Sequence, residues 1–91
     1  MPVLLVNEPV FVSQGENSDI RYNFFYPRWV YDAYRELLAG QAETNGWHFL
    51  DLWQAIDNNE YTNSAIHLTP KGSAQLTHIL APVILDLANN P

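Results

Sequence analysis

Ninety-one residues give room for one small domain, spanning residues 1–91. A hydrophobic share of 47% with 13% aromatics marks a chain that folds rather than one that stays disordered. Ten acidic residues against four basic ones leave a net charge of −6. Arg21, Arg28, Arg35 and Lys71 cannot assemble a basic patch, which argues against nucleic acid or an anionic membrane as a partner.

The chain lacks cysteine, so it has no disulfide framework and its redox compartment is not legible. No pair of histidines has metal-ligand spacing, and no glycine-rich loop could cradle a phosphate, so neither metal nor cofactor is expected. The apolar runs are far shorter than a bilayer span, and the first residues lack the basic flank of a secretory leader. A water-soluble chain is expected.

Residues 2–6 form a short apolar run that predicts a strand buried on both faces, the pattern of a parallel sheet covered by helices. Asn7, Glu8 and Pro9 end it. In open α/β sheets the C-terminal ends of strands face the ligand crevice, which makes Asn7 and Glu8 candidate substrate-binding residues; the alternative is polar residues wetted at a strand end. Residues 9–28 are a connection without clear periodicity, much longer than the usual roughly four to six residues. Turn chemistry at Ser13-Gln14-Gly15-Glu16-Asn17-Ser18-Asp19 and a rich aromatic content predict an ordered excursion folding back over the sheet. Arg21, Tyr22, Tyr26 and Arg28 could bind a carboxylate or stack on a sugar or acyl group. Equally, the aromatics could patch a small core while the arginines pair with nearby carboxylates.

Residues 29–44 predict a helix whose apolar stripe is Val30, Tyr34, Leu37, Leu38 and Ala42, with Asn45-Gly46 as a left-handed stop. Residues 47–52 predict a second strand, with His48 on a sheet face and Asp51 near its end. Residues 52–56 suggest a helical turn and 57–60 a polar loop. A final helix is predicted over residues 70–87, with Ala74, Leu76, Ile79, Leu80, Val83 and Leu87 inward and a bend or break at Pro82. Thr69 is its expected N-cap and Pro70 its first residue, which fixes His67 directly before a helix start.

The heptapeptide Ile66-His67-Leu68-Thr69-Pro70-Lys71-Gly72 resembles the last block of the SGNH (GDSL-type) ester hydrolases, roughly Asp-x-x-His-Leu-Thr-Pro-x-Gly before the final helix. Val3-Leu4-Leu5-Val6-Asn7-Glu8-Pro9 looks like the late core strand of that fold, and the helix and second strand follow in the family's order. The chain thus resembles the C-terminal half of such an enzyme. The resemblance implies a partial flavodoxin-like three-layer α/β sandwich, β-loop-α-β-α; two strands leave unpaired edges and little core, so its parallel strands are expected to be completed by dimerisation or by a missing N-terminal half. It also implies hydrolysis of a carboxylic ester, with His67 as general base; the aromatic and arginine-bearing loop, not the resemblance, adds a carbohydrate ester as one candidate. The family's Gly-Asp-Ser block and its glycine and asparagine oxyanion blocks have no counterpart here. The orienting acid departs from the pattern too, since Ser64 and Asn63 stand near where Asp is expected; Asp57 or Glu60 could substitute. The chain alone is therefore expected to be nearly inert. The other reading is a non-catalytic, self-associating binding or structural module, or a subunit complementing a serine-bearing chain.

Overall fold

Two short strands lie parallel in the computed structural model, which describes residues 2–90; Leu4, Leu5 and Val6 of the first are half-buried rather than buried on both faces, and His48 of the second is exposed. β1 (Leu4–Asn7) pairs with β4 (His48–Asp51) in the register Leu4 with His48 through Asn7 with Asp51. Between them run β2 (Arg21–Asn23), β3 (Tyr26–Pro27) and helix α1 (Arg28–Asn45); a 3-10 turn at Asn58–Glu60 and helix α2 (Pro70–Asn89) follow β4. The molecule is mixed α/β, as expected. Its smallest dimension is 13 Å, less than the two spacings of about 10 Å that a three-layer sandwich stacks.

The local signals at helix ends act as the sequence suggests. Gly46 takes the left-handed conformation (φ 68°), and its N–H reaches back to the last carbonyls of α1. Thr69 caps α2, its hydroxyl accepting from the Gly72 N–H at 3.1 Å with Pro70 at the first position. α2 runs without a break through Pro82, which sits exposed on its surface.

Other expectations are corrected. The long connection is ordered, and it contains the antiparallel β2–β3 hairpin, which no alternation announced. The helical turn expected at 52–56 is an irregular turn, and the 3-10 turn lies instead in the polar stretch at Asn58–Glu60. On α1 the inward residues are Tyr31 and Ala42, with Arg35 and Leu38 half-buried between them. Val30, Tyr34 and Leu37, expected inside, are 44%, 49% and 67% exposed. On α2 only Gly72 is buried; Leu76, Ile79, Leu80, Val83 and Leu87 are half-buried and Ala74 is exposed.

The core accordingly lies off the sheet. Val10, Val12, Tyr22 and Tyr31 form it, with Tyr26 and Trp53 packed against them. Ring pairs Tyr22–Tyr31 and Tyr22–Trp53 meet at centroid distances of 5.7 and 4.9 Å, the range of favourable edge and tilted contacts. Of the two readings of the 9–28 aromatics, Tyr22 follows the second and patches the core.

Candidate functional site

His67 is held by its backbone. Tyr61 and Leu68 form an antiparallel bridge, and within it the Thr62 N–H and hydroxyl both donate to the His67 carbonyl at 2.9 and 3.2 Å. The Phe11 N–H donates to the Ala65 carbonyl at 2.8 Å, tying the loop to the segment after β1. The imidazole itself is exposed. It lines a cleft of about 340 Å³ together with Glu8, Pro9, Ile66, Leu68, Ser73 and Leu76. One carboxylate, one imidazole and one hydroxyl thus share a cleft beside the C-terminal end of β1. Among the described residues no side-chain hydrogen bond joins the His67 ring to a carboxylate or a hydroxyl.

The loop's far anchor is Glu60, expected as a substitute orienting acid but bonded instead to Thr69. Its side chain is buried, and its Oε1 accepts from the Thr69 hydroxyl at 2.7 Å. Its carbonyl accepts from the Thr69 N–H at 2.8 Å. The Thr69 hydroxyl therefore works twice, donating to Glu60 and accepting from Gly72. Lys71 Nζ stands 3.8 Å from Glu60 Oε2, but Lys71 is largely exposed and that pair is worth little. Gly72 is pressed on the same spot: a Cβ there would lie 2.9 Å from the Glu60 carbonyl oxygen.

The other expected orienting residues stand elsewhere. The Ser64 hydroxyl accepts from the Ile66 N–H at 3.4 Å and shapes the loop, while Asn63 is exposed at its tip. Asp57 precedes the 3-10 turn and lines a different depression with Gln54 and Asn58.

Asn7 is buried and both donors of its amide nitrogen are engaged, one to the Tyr31 hydroxyl at 3.0 Å and one to Asp51 Oδ1 at 2.9 Å. Asp51 Oδ2 accepts from Arg35 Nε at 2.7 Å, and the Arg35 guanidinium lies 4.3 Å from the Trp53 ring centroid. Opposite charges and paired hydrogen bonds let α1 turn an arginine toward the strand ends. Burial raises the Tyr31 hydroxyl above its usual range, and the Asn7 hydrogen bond partly offsets this. Burial, then the 2.6 Å hydrogen bond it donates to Asp32, raises Tyr22.

Arg28 donates to the Ser18 carbonyl at 2.6 Å and stacks 4.6 Å from the Tyr22 ring, while Arg21 lies 5.7 Å from Phe24. These contacts fasten the hairpin and do not bring either arginine to His67. Tyr26 lines a second, apolar groove of about 500 Å³ with Val6, Asn7, Glu8, Val10, Phe25 and other residues. That groove and the His67 cleft share Glu8 and Ile66, so the two adjoin. Among the described residues there is no cluster of three or more potential metal ligands, and no helix is long and apolar enough to cross a membrane. Comparison with protein-family models, with curated proteins and with solved structures gave no match.

Proposed function

We propose that this chain carries the proton acceptor of an SGNH-like hydrolase of carboxylic ester bonds. The observation that carries the reading is the cleft holding His67 and Glu8 beside the end of a parallel strand. In this reading His67 removes the proton from an attacking hydroxyl, and Glu8, which shares the cleft without bonding the ring, closes on the imidazole to fix its tautomer and stabilise its protonated form. The acyl group lies against Ile66 and Leu76. β1 becomes an interior strand of a flavodoxin-like, three-layer sandwich that a further strand completes.

The attacking hydroxyl is the missing part. Ser73 lines the cleft, yet its N–H donates to the Thr69 carbonyl in the regular first turn of α2, not at a strand-to-helix elbow. Loss of a triad nucleophile costs on the order of a millionfold in turnover. The chain alone should therefore hydrolyse p-nitrophenyl butyrate at the buffer rate, while that ester shifts the NMR signals of His67, Glu8 and Ile66. Turnover that disappears in His67→Ala or Ser73→Ala would overturn the inertness, and unshifted signals at millimolar ester would overturn the ester site. The alternative, a self-associating module without catalysis, is favoured by the open edge of β1.

A further inference from the structure

Parallel pairing makes alternate residues of a strand face its neighbour. The His48 N–H donates to the Val3 carbonyl and the Leu52 N–H to the Asn7 carbonyl. The backbone groups of Val3, Leu5 and Asn7 thus turn toward β4, and those of Leu4 and Val6 point out of the other edge. Among the described residues no strand takes that edge.

Beside the same edge α1 presents an apolar row, Val30, Tyr34 and Leu37, that stays 44%, 49% and 67% exposed. Val30 and Tyr34 form one wall of the 500 Å³ groove whose other wall is Val6, Asn7 and Glu8, and Leu37 continues the row one turn on. Phe25, 67% exposed, closes one end. The row is placed to roof a strand lying next to β1.

From this we infer that the occupant is a second copy of the chain, its β1 antiparallel to the first about a two-fold axis normal to the sheet. That operation yields a four-stranded sheet, β4-β1-β1-β4, with both α1 helices on one face. The two Val30–Tyr34–Leu37 rows then meet above the junction, each covering the other. Leu4 and Val6 of each copy supply the hydrogen bonds, so the same patch serves both sides.

Area and charge favour this occupant. A folded monomer of 10.4 kDa is expected to expose about 5,400 Å². This chain exposes 6301 Å², an excess of about 900 Å², against the roughly 800 Å² per partner of a standard specific interface. Leu4, Leu5, Val6 and the three roof residues carry no charge, and among the described residues Glu8 is the only carboxylate lining the groove. The net charge of −6 per chain therefore opposes pairing only at a distance, where salt screens it within about 8 Å.

Sedimentation equilibrium of the full chain tests the inference. The expected particle at hundred-micromolar concentration has twice the mass of the chain, and raising salt leaves association unchanged or tightens it. Val6→Pro deletes an edge N–H while sparing the ladder to β4, and Tyr34→Glu sets like charges across the axis. Each should weaken association roughly 30-fold or more with the circular dichroism spectrum retained. A particle of single-chain mass, weakening by salt, or a dimer indifferent to both variants would overturn it. His67→Ala should leave association unchanged, so this interface and the ester-hydrolase reading stand or fall separately.

Discussion

Tyr61 places a hydroxyl where water does not reach. The side chain is 9% exposed, its ring meets Phe11 edge-on at 5.9 Å, and its oxygen is buried with no hydrogen-bond partner. Burial, with the neighbouring Tyr31 adding to it, pushes the Tyr61 hydroxyl from 10.0 up to about 12. The folded state thus holds a proton that the unfolded chain releases near pH 10. Stability is fully present below that pH and falls as pH rises from 10 to about 12, by on the order of 2 kcal/mol from this residue. Tyr61→Phe should flatten that alkaline slope in urea titrations and change stability at pH 7 by about 1 kcal/mol or less, because the lost oxygen had no partner. In the sequence Tyr61 reads only as the approach to the histidine block. Its burial follows from the bridge to Leu68, a pairing seven residues away that no period of 2 or 3.6 signals.

At the scale of elements, the joint between the histidine loop and α2 depends on one absent side chain. Alanine at position 72 would bring its Cβ within 3.0 Å of the Glu60 Cβ and nearer still to the Glu60 carbonyl. Neither neighbour is the free end of a flexible chain, so backbone must shift. Gly72→Ala should destabilise by about 1–3 kcal/mol in chemical denaturation, with NMR shifts concentrated at Glu60, Thr62 and Thr69. Punctuation of this kind is local, which is why the sequence shows it: Asn45-Gly46 and Thr69-Pro70 mark helix ends by their own chemistry. The face of α1 was harder to read. Spacing favours Val30, Tyr34 and Leu37 as the inward row, but the inward row contains Arg35. An arginine there is tolerated because Asp51, sixteen residues on, accepts its Nε at 2.7 Å and the Trp53 ring lies 4.3 Å from its guanidinium. The β2–β3 hairpin leaves no mark in the sequence pattern for a related reason: its strands are three and two residues long with a register shift, too short to alternate.

For the whole molecule, the radius of gyration of 14.6 Å exceeds the about 12 Å expected of a compact chain of this length. At this scale the mismatch between sequence and structure lies in which apolar faces are covered. The apolar positions were legible, but a periodic pattern identifies a face without saying whether this chain or another covers it. If a second copy covers β1 and the α1 row, folding and association are linked by mass action. The midpoint of thermal unfolding should then rise with protein concentration, whereas in Tyr34→Glu it should stay constant; scanning calorimetry over a hundredfold dilution distinguishes the two.

The thin shape has a thermal consequence as well. No large side chain in the described residues is fully sealed from solvent. The heat capacity gained on unfolding scales with apolar surface newly wetted, ordinarily about 1.2 kcal/mol/K for a domain this size. An isolated copy wets less than that. Its free energy of folding therefore varies gently with temperature, with a low flat dome rather than a peaked one.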